Sequence, residues 1–222
     1  MKNFFSYFSF CSFVLKELKM NFQNQIIEKA QDLFFKYGLK SITMDDLARE
    51  LGISKKTLYA SFNNKQEILN IITVKLMEEH ERNCEEIVND ADNAIQEVLM
   101  YINNLKSIFQ QFNHKIIFEM KRYYSESWEI FKNYKNDFLS ERIKNNLRRG
   151  IKEGLYRENI NEDIIVILRL EQMQIISNSA LFPLSNFNKK EVARELFLQV
   201  LYGMSTIKGH QLIDKYMENS EA

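Results

Sequence analysis

Apolar residues recur along this chain at helical spacing, and polar or small residues divide them into segments. Ile26, Ala30, Leu33 and Phe34 follow i, i+4, i+7, i+8, with Ile27 and Tyr37 beside them, and Gly38 suits the C′ position that ends such a helix. Leu47, Ala48 and Leu51 form a narrow apolar face on a short second helix. Thr43 and Asp46 make a capping box that starts it, and Ile42 just ahead is placed to staple back onto the first helix. Gly52 supplies the left-handed residue of a tight turn, and Ile53 returns to the core. Ser54 caps a third helix, in which Leu58 and Phe62 point inward. Longer periodic stretches follow over 66 to about 90, 91–112, 114–124 and 127 to about 155. Two more, 161–182 and 188 to about 217, are separated by Pro183. With 6 Gly, 1 Pro and no alternating β-branched runs, the expectation is an all-α fold.

Burying Leu58 and Phe62 leaves Lys55, Lys56, Thr57, Tyr59 and Ser61 on the outer face of the third helix. That face carries cations, hydroxyls and a phenol, donors suited to base edges and phosphate oxygens in a major groove. The stretch TMDDLARELGISKKTLYASFNNK, with Leu69 beyond it, resembles the DNA-binding domain of the TetR/AcrR family. Thr43, Leu47, Ala48, Gly52, Ile53, Ser54, Thr57, Leu58, Tyr59, Phe62, Lys65 and Leu69 stand in register with that family's pattern. Lys56 departs from it, replacing the small residue or Pro that often precedes the Thr, which bears on base preference. The segment GIKEGLYREN, from Gly150, is also similar to a motif the family carries near its seventh helix. Apart from that resemblance, Gly150 and Gly154 read as helix-end caps.

The resemblance implies a three-helix helix-turn-helix DNA-binding domain over 20–66, followed by a larger helical effector-binding and dimerisation domain over 67–222. It implies a sequence-specific regulator of transcription and not an enzyme: a repressor released from a palindromic double-stranded DNA operator by a small apolar or amphipathic effector. The alternative is a helix-turn-helix regulator that answers to a protein partner without a small molecule. Lys55, Lys56 and Tyr59 are the expected base readers, with Thr57 on the same face. Thr43, Ser61 and Lys65 are expected phosphate contacts, with Ser54 at the start of the recognition helix. Tyr59 could instead be partly core, and Lys65 could cap a solvated helix end.

Charge supports this division. From Met20 to Lys65 there are 7 Lys and Arg against 5 Asp and Glu, whereas the chain as a whole has a formal net charge of zero. A modest positive bias fits a few placed contacts and argues against a polybasic binder. Cys11 and Cys84 make no C-x-x-C, His80, His114 and His210 lack ligand spacing, and no phosphate-binding or nucleophile motif occurs. Neither a metal nor a cofactor is expected, and a cytoplasmic location is the default. Residues 1–19 hold an aromatic run, Phe4 to Leu15, too short to span a bilayer, so no membrane association is expected. They read as an extension from a start assigned too early, disordered or loosely packed, or else as an arm that grips DNA; a signal peptide is the weakest reading.

Aromatic residues concentrate between Phe109 and Phe138. Phe112, His114, Tyr124 and Trp128 are the candidate effector contacts, with ordinary core packing as the competing reading. The segments 164–181 and 192–202 are apolar on nearly every side, which fits a buried helix or a homodimer interface through the last two helices. The dimer is favoured because two heads on successive groove faces bind a two-fold operator.

Overall fold

The computed structural model describes the backbone of residues 2–111, 114–178, 181–183 and 185–221, and their side chains except those of 2–19, 105–111, 114, 173, 177, 220 and 221. Among the described residues the fold is all-α, with one isolated bridge between Tyr156 and Ser205.

The N-terminal core forms where three helices and the start of a fourth converge. Helix α1 (Lys2–Tyr37), α2 (Met44–Glu50) and α3 (Lys55–Ser61) pack with the first half of α4 (Lys65–Asp90) around Ile26, Phe34, Leu47, Leu58 and Ile68, each fully buried. Each such side chain contributes about 1.5–3 kcal/mol of transfer free energy. The caps are local: Thr43 Oγ1 accepts from the Asp46 N–H at 3.1 Å, and the Asp46 carboxylate accepts from the Thr43 N–H at 2.9 Å. Gly38 and Gly52 adopt φ of 98° and 65°, the left-handed region their turns require. Ile42 is buried in this core, as a staple would be. Helix α1 begins at Lys2, so the backbone of 2–19 is helical and continuous with the rest of α1; the side chains of 1–19 lie outside the described residues.

A second core lies among α5 (Ala94–Gln111), α8 (Ser140–Lys152), α9 (Glu162–Ser177), α10 (Lys189–Met204) and α11 (Ile207–Glu221), with Ile95, Leu147, Tyr156, Ala193, Leu201 and Ile213 at its centre. Helices α6 (His114–Tyr123) and α7 (Ser125–Tyr134) sit between the two cores. The single helix expected over 127 to about 155 is α7 and α8 joined by a five-residue π-turn, Lys135–Leu139. The helix expected to reach about 217 breaks after Met204, because Thr206 starts α11: its Oγ1 accepts from the Gly209 N–H at 3.1 Å, and its own N–H donates to the Leu155 carbonyl at 2.9 Å.

Gly154 has positive φ and ends α8 as expected, but Gly150 does not act as a cap. It lies inside α8 against the Tyr156 ring, where a Cβ would come within 2.0 Å of a ring carbon. The Tyr156 hydroxyl donates at 3.1 Å to the Ala94 carbonyl, which also accepts from the Asn146 amide at 3.0 Å. The missing side chain at Gly150 therefore seats the largest fully buried residue of the core.

Candidate nucleic-acid interface and internal cavity

Capping fixes the pose of the candidate recognition helix. Ser54 Oγ accepts from the Thr57 N–H at 3.1 Å and lies 2.8 Å from Thr57 Oγ1, and Ser61 Oγ donates to the Thr57 carbonyl at 3.3 Å. With Leu58 fully buried, Lys55, Lys56, Thr57 and Tyr59 are all exposed on one side. Half of the Tyr59 surface is open, so much of this ring faces outward. The Lys55 ammonium is paired with Asp45 of α2, so it can be exchanged to a phosphate or base only by leaving that carboxylate. Lys56 projects without a partner among the described residues. Thr43 and Ser54 stand at the N-terminal ends of α2 and α3.

Lys65 is turned the other way. Its ammonium donates to the Leu39 and Ile42 carbonyls and lies over the rings of Phe34 and Tyr124, at 5.3 and 5.4 Å from their centroids. Burial holds its pKa down at about 8, opposed by the charges of Glu119 and Asp46. This ammonium ties the α1–α2 loop to α4 and does not lie on the outer face of α3.

Tyr124 is also displaced from its expected place. It lies in the link between α6 and α7 with φ −133° and ψ 70°, packs on the N-terminal core, and directs its hydroxyl to the Leu39 carbonyl at 3.5 Å. It is not part of the cavity wall. Phe112 and the side chain of His114 lie outside the described residues. Of the four candidate effector contacts, Trp128 alone is seen in that wall.

The cavity itself measures about 690 Å³, opens to solvent, and is lined by side chains from α4 through α10. Trp128, Phe131 and Tyr134 supply much of its apolar surface, together with Phe118 and Leu139. His80 and Cys84 reach it from α4, where His80 Nδ1 is hydrogen-bonded to the Tyr134 hydroxyl. Sequence reasoning missed His80, Arg142 and Arg169. A charge inside the apolar run of α9, at Arg169, was the available signal.

Burial pushes the His80 imidazole down from 6.5 to about 4, which predicts a specific acid sensitivity. Between those values the unfolded chain binds a proton that the folded protein refuses, so stability is full above pH 6.5 and declines as pH falls toward 4. The loss between pH 7 and pH 4.5 is roughly 2 kcal/mol, read by urea unfolding at those two values, and His80→Gln should flatten most of the difference. An unchanged pH dependence in that variant would assign the acid sensitivity elsewhere.

Helix α9 leaves an apolar stripe uncovered. Ile164, Ile167, Leu168 and Ile175 share one side of it, and the first two are more than 60% exposed (61% and 62%). Helix α10 differs: Val192, Phe197, Leu198 and Leu201 are buried in the chain's own core. The apolar surface expected from two helices is therefore concentrated on one, while Ile176 and Leu201 are interior positions.

Among the described residues no helix is long and apolar enough to cross a membrane, and no cluster of His, Cys, Asp or Glu could hold a metal ion. The profile of bacterial regulatory proteins of the tetR family matches residues 26–72, the span of the N-terminal core. The chain is 29% identical over 131 residues to the HTH-type transcriptional regulator YvaF of Bacillus subtilis, covering 57% of this chain and 66% of YvaF, just under two thirds of that relative. The fold is shared with a transcriptional regulator from Saccharomonospora viridis in complex with choline, at TM-score 0.73 and 14% identity over 84% of this chain and 99% of that one. It is also shared with the regulator FadR of Bacillus subtilis in complex with stearoyl-CoA, at TM-score 0.62 and 17% identity over 81% and 98% of the two chains.

Proposed function

This chain carries the DNA-binding domain of the tetR family and is a helix-turn-helix regulator of transcription, and from that premise we propose that it acts as a homodimeric repressor released from a palindromic operator by a small effector. We read 20–66 as the head, 67–222 as the effector-binding and dimerisation region, and 1–19 as an extension outside both. A cytoplasmic location goes with this reading.

The observation that carries ligand response is the double role of α6. Ile117, Phe118 and Lys121 face the cavity. Ile116 and Met120 are buried in the head's core. Glu119 accepts from the Lys40 N–H at 3.0 Å, and Lys115 donates to the Tyr37 carbonyl at 2.9 Å. A ligand that displaces α6 must move the base of the head or break these contacts. Such a ligand shifts the population of head spacings by its differential affinity for the two states. Choline and stearoyl-CoA are bound by the structural neighbours, which supports a small-molecule effector here over a protein partner.

Lys55, Lys56, Thr57 and Tyr59 face the groove in this reading, with Thr43, Ser54 and Ser61 toward phosphate. Lys65 braces the head from inside. The test begins with an inverted repeat beside the gene, located by footprinting. Tyr59→Ala should then weaken operator binding by about 1–3 kcal/mol at fixed salt without changing helicity. Lys56→Gly should relax preference at one base pair per half-site. Unchanged affinity and unchanged preference, measured by fluorescence anisotropy, would remove these residues from the interface.

A further inference from the structure

The cavity wall contains two cations with nothing to bind. Arg142 of α8 and Arg169 of α9 make no hydrogen bond or ion pair among the described residues, and the Nε of each is buried without a partner. Each guanidinium lies over a ring instead, Arg142 over Phe138 at 5.5 Å and Arg169 over Phe197 at 4.6 Å. Stacking holds the plane of a guanidinium and leaves the N–H groups along its edge open, the edge that grips a carboxylate or phosphate with two parallel bonds.

Most of the charges around them are already matched, and the Lys121 ammonium lies over the Trp128 ring at 5.4 Å. Lys135 pairs with Glu171 at 2.7 Å and Lys132 with Glu129 at 3.1 Å. Glu97, the buried acid of this wall, is taken by Arg149 at 3.4 Å. Both unpaired arginines line the same cavity, and each lies within electrostatic reach of Glu97. Both side chains are half-buried, a guanidinium whose Nε is buried without an acceptor is costly, and burial drives the pKa of Arg169 down to about 10. An inorganic ion alone would leave most of about 690 Å³ of largely apolar space unfilled.

We propose that the effector is an amphipathic organic anion, its acidic head held by Arg142 and Arg169 and its apolar body against Trp128, Phe131 and Tyr134. This rests on the reading of the cavity as the effector site. The anionic head repays the desolvation of both arginines, whereas a neutral ligand leaves them open and a cation repels them.

Two fluorescent probes with one apolar body test it: 8-anilinonaphthalene-1-sulfonate and the uncharged N-phenyl-1-naphthylamine. The full-length protein should bind the sulfonate more tightly, and Arg142→Gln with Arg169→Met should weaken it by about tenfold or more while the amine changes less than about twofold. Decanoate and decyl phosphate should displace both probes where 1-decanol does not, and the stronger displacer identifies the head group. Without ligand, Arg169→Met should melt higher by roughly 2–4 °C, because a half-buried unpaired charge is removed and the stem over Phe197 is kept. If the double variant does not fold, Arg142→Lys and Arg169→Lys keep the charge and lose the fork, and they should lose part of the preference for the sulfonate. Equal loss of both probes, an unaffected sulfonate, or a lower melting temperature for Arg169→Met would overturn the anion inference and leave the effector cavity standing. Failure of both probes to bind the unaltered protein would overturn the cavity reading along with it.

Discussion

Replacing Ile167 with Glu should convert the protein to a monomer and lower operator affinity by about 100-fold or more. Ile167 is 62% exposed in the isolated chain, so a carboxylate there costs the monomer fold little. Across a two-fold interface the same substitution occurs twice, placing two like charges in a patch that holds Ile164, Leu168 and Ile175. Continuous apolar stripes of this kind mark interfaces, and pairing through α9 would set the separation of two heads. Glu at Ile176 or Leu201 would not test this, since both are buried in the chain's own core and their loss would unfold it. Sedimentation at micromolar concentration, with circular dichroism to show that helicity is kept, reads the outcome. An unaltered chain that sediments as a monomer, or an Ile167→Glu variant that remains dimeric, would rule out pairing through α9.

Gly150→Ala should destabilise the fold by about 3 kcal/mol, a drop of roughly 6–12 °C in melting temperature. The added methyl would meet the Tyr156 ring at 2.0 Å, and that ring cannot withdraw. It is 1% exposed, and its hydroxyl is held by the Ala94 carbonyl and by the Asn146 side chain at 3.1 Å. Alanine otherwise favours a helix over glycine, so propensity alone predicts a gain of about 0.5–1 kcal/mol. The two effects have opposite sign, which makes the measurement decisive. Adding Tyr156→Leu should return part of the loss by vacating the space. If Gly150→Ala stabilises the protein, the close approach is not a constraint.

The head was legible because its determinants are local. Thr43 and Asp46, Ser54 and Thr57, and the glycine turns act within three or four residues, and the buried set of Ile26, Leu47, Leu58 and Phe62 follows from spacing alone. The all-α class was legible for the same reason. Elsewhere spacing was ambiguous. The apolar positions of α10 look the same whether they face a partner or their own core, and only the packing of α5 against them shows that they face inward. Nothing in KNDFL announces a π-turn, although that turn supplies Lys135, Asn136 and Leu139 to the cavity wall. Tyr124 and Trp128 are four apart, a spacing that suggests one destination, but the extended link at Tyr124 turns its ring toward the head. Lys65 was placed on the wrong side because a periodic pattern cannot show that a lysine has unsatisfied carbonyls behind it.

Helix α4 gives the molecule a continuous shaft in place of a hinge. Ile68, Leu69, Ile72 and Leu76 belong to the head's core, and His80 and Cys84 face the cavity from the same unbroken helix. Leu76 and His80 are one turn apart, about 6 Å along the axis. No slack intervenes between the cavity and the foundation of the head, so a displacement at one is delivered to the other as rotation or tilt of a single rod. Each residue gained or lost between Leu76 and His80 would turn the head about 100° relative to the cavity and strip Ile116 and Met120 of α6 from the head's core.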